Sequence, residues 1–234
     1  QNNAILDVNF DGVYILDGDI VSPTVMITSI LKNEKSLILK KDTLGLEFFL
    51  KKPCENCQFE KINFSSPLVT WSEATENSSF KVEFRPGPLD DGIYTLRVLT
   101  EDLGVDKPYE INFEVINEST ITNFYPYPNP FSTSTRFVFT VTGSEVPDQI
   151  KVQIMTVTGR VVREILQDEL GQIRIGNNIS EFAWDGTDEF GDQLANGVYI
   201  YRVLVRKDGQ FVELRGTAGD KAFKQGYGKM YLLR

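Results

Sequence analysis

The sequence predicts an all-β chain made of two tandem antiparallel β-sandwiches. Three observations carry that expectation. Helical periodicity is almost absent from the 234 residues, whereas alternation of apolar and polar side chains with period two recurs throughout. A proline-rich break falls near the middle of the chain. One turn-and-strand pattern occurs twice, about one sandwich domain apart.

In the first half the expected strands are Ile5 to Phe10, Val13 to Leu16, Val25 to Leu31, Leu44 to Leu50, Phe59 to Phe64, Phe80 to Phe84, Ile93 to Leu99 and Tyr109 to Ile116. Phe80-Lys81-Val82-Glu83-Phe84 alternates strictly, and Tyr109 to Val115 repeats the pattern. Such strands bury one face and wet the other, which suits an antiparallel sheet. The run Asn117 to Thr120 is polar, and Tyr125-Pro126-Tyr127-Pro128-Asn129-Pro130 places three prolines at alternate positions. Each proline lacks an N–H and biases its predecessor to extended geometry, so this stretch is no central strand. It reads as a domain boundary, dividing the chain into 1–118 and 119–234. Beyond it the expected strands are Arg136 to Val141, Ile150 to Val157, Val161 to Leu166, Ile179 to Trp184, Val198 to Val205, Phe211 to Leu214 and Met230 to Leu233. Thr158-Gly159-Arg160 and Lys207-Asp208-Gly209-Gln210 read as tight hairpin turns.

The repeated pattern is Asp91-Gly92-Ile93-Tyr94-Thr95-Leu96-Arg97-Val98 against Asn196-Gly197-Val198-Tyr199-Ile200-Tyr201-Arg202-Val203. A turn residue and glycine lead into a strand whose second side chain after the glycine is tyrosine. Immunoglobulin-like sandwiches place a tyrosine corner in this way, its hydroxyl bonding back to the backbone. Tyr94 and Tyr199 are therefore expected as corners of two successive immunoglobulin-like domains. A Gly-x-Tyr strand start is also a common local pattern in its own right. Two positions after each tyrosine, where antibody domains carry a cysteine, stand Leu96 and Tyr201.

Composition limits the chemistry. The chain has no histidine, which removes a Ser-His-Asp triad, a Cys-His pair and His-ligated zinc. Thirty-three acidic against 24 basic residues give a net charge of −9, unsuited to general nucleic-acid binding. No apolar run is long enough to span a bilayer. The chain begins Gln1-Asn2-Asn3 with neither an initiator methionine nor a signal-peptide pattern, so it is expected to be a piece of a longer or processed protein. No cofactor is expected.

Cys54-Glu55-Asn56-Cys57 is the most conspicuous motif. Redox chemistry needs a helix N-terminus to stabilise a thiolate, yet here the motif sits between strands. A short disulfide stapling a loop is expected if the chain is exported, with two free thiols as the alternative. Asp185, Asp188 and Asp192 could offer oxygen ligands to calcium, but their spacing departs from the EF-hand pattern, and turn geometry explains acids and glycines equally well. Trp71, Trp184, Tyr125 and Tyr127 could form a sugar-binding platform if exposed, although most tryptophan in a sandwich is core.

Four segments of the second half resemble a known family. Tyr127-Pro128-Asn129-Pro130-Phe131 followed by Thr135 to Phe139 resembles the opening of C-terminal sorting domains of the type IX secretion system of Bacteroidetes. It is also similar to the immunoglobulin-like domain of flagellar hook-capping proteins. Val157-Thr158-Gly159-Arg160-Val161-Val162, Trp184-Asp185-Gly186-Thr187-Asp188-Glu189-Phe190-Gly191 and Asn196 to Arg202 resemble the later motifs in the same order. The whole looks like the C-terminal region of gingipain-type cysteine peptidases, including the sortase-like component of that system. Typical sorting domains end soon after the tyrosine-rich strand, whereas this chain continues through Gly216 to Asp220. Its ending, Lys229-Met230-Tyr231-Leu232-Leu233-Arg234, resembles the terminal basic and apolar strand of the signal.

The resemblance implies export, a location at the cell surface or outside the cell, and partners among outer-membrane secretion or anchoring proteins. It carries over no catalytic residue, since that family's cysteine and histidine lie in an upstream domain. The expected function is thus a non-catalytic tandem in which Lys229 to Arg234 face the sorting partner. The alternatives are a carbohydrate-binding or adhesin module with a glycan partner, and an accessory domain of a cysteine peptidase. Charge divides unevenly: residues 1–118 carry 11 basic and 20 acidic side chains, residues 119–234 carry 13 of each, and from Arg202 onward eight basic face three acidic ones.

Overall fold

A computed structural model describes residues 4–33, 39–101, 108–211 and 226–234. The chain divides into two compact units, Gln1–Asn117 and Glu118–Arg234. Each is an immunoglobulin-like β-sandwich, with two sheets enclosing one core.

The first unit runs β1 (Ala4–Phe10), β2 (Asp19–Val21), β3 (Ile27–Asn33), β4 (Leu46–Lys51), β5 (Phe59–Ile62), β6 (Val69–Ser72), β7 (Phe80–Phe84), β8 (Gly92–Thr100) and β9 (Tyr109–Val115). One sheet has the order β1-β3-β7-β6 and the other β2-β9-β8-β4-β5. Pairing is antiparallel apart from the short parallel contact of β2 with β9. The alternation seen in sequence is the packing pattern: Phe80, Val82 and Phe84 are buried while Lys81 and Glu83 pair with each other at the surface. Phe48, Leu96 and Phe113 from the opposite sheet close the core. The strand expected over Val13 to Leu16 is reduced to a bridge between Phe10 and Val13. Asp11 and Gly12 both take positive φ there, and Asp11 Oδ1 accepts the N–H of Met26, so the chain reverses instead of extending.

The second unit runs β10 (Ile121–Tyr127), β11 (Arg136–Val141), β12 (Gln149–Thr156), β13 (Val161–Ile165), the single turn α1 (Gln167–Leu170), β14 (Gly176–Ile179), β15 (Gly197–Lys207), β16 (Gln210–Phe211) and β17 (Tyr227–Leu232). The smaller sheet has the order β10-β11-β14, and the larger β13-β12-β15, with β16 and β17 sharing the far side of β15. Both expected hairpin turns form, between β12 and β13 and between β15 and β16.

The proline-rich stretch is no central strand, as expected, and its first part pairs as an edge strand. β10 runs through Pro126, which a strand tolerates because β10 is an edge. The strand expected over Ile179 to Trp184 instead ends at Ile179. The Ser180 N–H still donates to the Phe137 carbonyl, but its hydroxyl accepts the N–H of Phe137 and donates to the carbonyl of Phe182, so a side chain takes half of the ladder there. The strand expected over Phe211 to Leu214 lies, beyond Phe211, outside the described residues, as does Gly216 to Asp220.

Each unit holds one tryptophan. Trp71 on β6 is 43% exposed, whereas Trp184 is fully buried against Phe131 and Tyr199. In the native protein acrylamide is expected to quench Trp71 and to spare Trp184. The Trp71→Phe protein should therefore emit a blue-shifted, quench-resistant spectrum. A red-shifted, readily quenched spectrum from that variant would contradict the packing described.

Candidate functional site

The segments singled out in the second half meet at the C-terminal strand. On its inner side β17 pairs with β15, from Gly197 opposite Leu232 to Arg202 opposite Tyr227. Side chains alternate across it: Met230 and Leu232 are buried, whereas Tyr227, Lys229 and Tyr231 face outward. Gly228 lies beneath the Tyr201 ring, where any Cβ would collide with it. That close approach seats Tyr201, whose hydroxyl donates to the carbonyl of Phe124 at 3.0 Å.

The outer edge of β17 would leave unpaired backbone groups, and the proline-rich segment takes them up. The Asn129 side chain acts as a surrogate peptide. Its Nδ2 donates to the carbonyl of Lys229 at 3.1 Å, and its Oδ1 accepts the N–H of Tyr231 at 3.0 Å. The backbone continues the pairing: Phe131 N–H donates to the Tyr231 carbonyl at 3.0 Å, and Leu233 N–H to the Phe131 carbonyl at 2.9 Å. The Thr135 hydroxyl fixes the segment by donating to the Pro128 carbonyl at 2.8 Å, and the buried Phe131 ring packs on Trp184. Pro128 and Pro130 flank Asn129, each joined through a cis peptide bond, and the chain bends across these three residues.

Arg234 is held by the turn that follows Trp184. Its Nη2 donates to the carbonyls of Asp185 at 2.6 Å and Gly186 at 3.2 Å, and its Nη1 to that of Leu194 at 3.1 Å. Asn196 completes the grip with a reciprocal pair, its Oδ1 accepting the Arg234 N–H and its Nδ2 donating to the Arg234 carbonyl, both at 2.9 Å. Gly186 has φ +77°, and a Cβ there would press on Leu232 and the Arg234 guanidinium.

The acids of this turn serve its own backbone. Asp185 Oδ1 accepts from the Thr187 hydroxyl at 2.7 Å and from its N–H at 3.1 Å. Those bonds, the Thr187 hydroxyl foremost, hold the carboxyl below its ordinary range, with the charge of Arg234 adding to them. Asp188 Oδ1 accepts the N–H groups of Phe190 and Asp192. Asp185, Asp188 and Asp192 are thus turn-forming residues, and among the described residues no group of three or more acids or cysteines is arranged to hold a metal.

The other edge of the same sheet is closed similarly. Glu189 donates its N–H to the Val162 carbonyl at 3.0 Å, and its carboxylate accepts the N–H of Glu164 at 2.5 Å. Arg163 bridges Glu189 and Glu169. The hairpin containing Gly159 and the turn after Trp184 are joined by these bonds.

Both tyrosines of the repeated pattern make the same contact. Tyr94 donates its hydroxyl to the Asp90 carbonyl at 3.1 Å, and Tyr199 to the Ala195 carbonyl at 2.7 Å. Burial raises the pKa of each phenol. Gly92 packs so closely on Pro53 that a Cβ would collide with its ring. Directly after Pro53, Cys54 and Cys57 are joined as a disulfide, with Cα atoms 5.2 Å apart, in the β4–β5 connection. The tryptophan half of the expected sugar platform does not hold together: Trp184 is core, and Trp71 belongs to the other unit with its ring stacked on Phe80. Tyr125 and Tyr127 remain exposed together on β10.

Asn129, Gly186, Asn196 and Glu189 lie inside the motifs that carry the resemblance, but their roles in holding β17 and closing the sheet are visible only in the structure. An asparagine side chain can serve both a donor and an acceptor, which is what its place beside the β17 edge requires. Among the described residues no helix is long and apolar enough to cross a membrane.

No protein-family profile and no curated protein matches the chain. Among solved structures it is similar to dimeric latent PorU from Porphyromonas gingivalis, with 18% identity over 98% of this chain and a TM-score of 0.37. The chain spans 20% of the length of that protein. It is also similar to fibronectin(III)-like modules of CbhA from Clostridium thermocellum, with 10% identity, coverage of 97% of this chain and 94% of that one, and a TM-score of 0.26. A third similarity is to SGBP-B of the Bacteroides ovatus mixed-linkage glucan utilization locus, with 9% identity, coverage of 99% and 60%, and a TM-score of 0.30.

Two outcomes follow for stability. Asn129→Ala should lower the urea stability of the second unit, read from Trp184 fluorescence, by about 1 kcal/mol, the typical worth of solvent-accessible hydrogen bonds. Gly228→Ala should cost about 2–3 kcal/mol, because it overpacks the core against Tyr201. Equal effects of the two would contradict this ranking. For pH, the depressed Asp185 pKa means the folded state binds that proton less readily than the unfolded chain. Its contribution is fully present above the ordinary carboxylate range and is lost as pH falls through the lowered pKa of the folded state. Asp185→Asn should therefore lower stability at neutral pH and flatten its decline in acid, as measured by unfolding at a series of pH values. A parallel decline in both proteins would show that Asp185 carries no such linkage.

Proposed function

We propose that the chain is a non-catalytic tandem of β-sandwich modules from a large secreted or cell-surface bacterial protein. Its second unit is the part handled by the type IX secretion machinery or by surface attachment. The observation that supports this reading is convergence. The Asn129 segment, the Asp185-Gly186 turn and the Gly197 to Arg202 strand, all of which resemble sorting-domain motifs, each contact β17 or Arg234. A terminal signal is read more tightly when its conformation is fixed before binding, because less ordering entropy is lost on contact. The partners in this reading are secretion or anchoring proteins of the outer membrane.

The absence of catalysis has its own support. The chain has no histidine, and its two cysteines are joined to each other, so neither thiol is free for nucleophilic chemistry. Peptidase activity, where the parent protein has it, belongs to another domain.

The test is a reporter fused ahead of Ser119 to Arg234 and expressed in a Bacteroidetes host with this secretion system. The fusion should reach the cell surface or the medium, and removal of Lys229 to Arg234 should retain it inside. Undiminished export of the truncated fusion would sink the sorting role.

A further inference from the structure

How the C-terminal strand meets a partner follows from which of its groups remain available. Strand addition requires a free edge. Among the described residues, the outer edge of β17 is bonded by Asn129 and Phe131 from Lys229 to Leu233, and that of β13 by Glu189. The outward face of the sheet is the surface that these strands leave open.

That face divides into two parts. Toward the far end of β12, Lys151, Gln153 and Glu164 satisfy one another. Toward the β12–β13 hairpin the side chains are apolar, with Val198, Tyr231 and Val161 exposed, Ile200 half-buried and Met155 buried. Val198 lies opposite Tyr231, and Ile200 is flanked by Lys229 on one side and Met155 on the other. Met155 is in turn opposite Val161. Val157, 65% exposed, and Leu233, 54% exposed, extend the patch beyond the ladder. Exposed apolar side chains grouped in this way mark interaction surfaces on soluble proteins.

Charge specifies the partner. Lys229 and Arg202 project from the same face, and neither has an ion-pair partner among the described residues. Arg202 instead lies over the Tyr227 ring at 5.4 Å. A surface with an apolar centre and cationic margin complements one with an apolar centre and carboxylates around it.

We propose that the outward face around Val198, Tyr231 and Lys229 docks a protein surface of that acidic-rimmed, apolar kind, face to face and without strand exchange. The proposal rests on the sorting reading and specifies its contact.

The experiment uses the full chain fused to a reporter in the same type of host. Tyr231→Glu and Lys229→Glu should each lower surface reporter about tenfold, the loss expected from one interface hot spot. Lys229→Arg should retain export. Ile179→Glu, an exposed position in the other sheet, should leave it unchanged. Urea midpoints of the purified variants should match the parent, and the fully surface-placed Lys229→Glu decides the matter if Tyr231→Glu is destabilised. Wild-type export of Lys229→Glu would overturn the docking face while leaving the sorting reading intact. A chain that is dimeric by light scattering, and made monomeric by Tyr231→Glu, would overturn it in favour of self-association. If the unmodified fusion is not exported, the sorting reading fails and this proposal with it.

Discussion

The second unit depends on closing the outer edge of its last strand. A terminal strand at a sheet edge exposes a row of N–H and C=O groups that another chain can pair with. Here the groups of Lys229, Tyr231 and Leu233 are taken by Asn129 and Phe131, about a hundred residues earlier in sequence. A full strand could have done this, but a strand would present a new open edge of its own. One asparagine side chain followed by one bonded residue ends the ladder instead. The adjacent prolines leave little backbone that could continue it.

Much of the unit is arranged around that closure. Phe131 can reach the edge only because its ring enters the core beside Trp184. Trp184 is held by its indole N–H donating to the Thr187 carbonyl and by the backbone bridge to Thr135. The same turn presents the Asp185, Gly186 and Leu194 carbonyls to Arg234. It then closes the opposite edge through Glu189. One loop therefore restrains both sides of the larger sheet. Its acids are explained by turn geometry, which is why no metal site forms from them.

Legibility in the sequence followed interaction range. Alternation exposed strands such as β7, β9 and β15, because burial on one face writes a period of two directly into the residues. The tyrosine corners were legible because the hydroxyl of each bonds only four residues back. The strand over Gly176 to Ile179 was misplaced because its boundary is set by Ser180 bonding to Phe137 across the sheet, a partner 43 residues away. β6 was missed since only Val69 of its four residues is buried, leaving no alternation to read. The Asn129 clamp spans a still greater separation, and no local periodicity encodes it. The motif that contains it was recognisable only as a resemblance.

The convergence of these motifs has a consequence for reading them as signals. Asn129, Gly186, Asn196 and Tyr201 hold β17 or bond to its neighbours, Gly186 and Tyr201 from within the core and Asn129 and Asn196 from the surface. Losing any of them would loosen the seat of the strand. The alternate residues, Tyr227, Lys229 and Tyr231, have backbones fixed by the seat and side chains that leave it. Sequence resemblance thus reports mainly on the holder. The outward positions are the ones the fold itself constrains least.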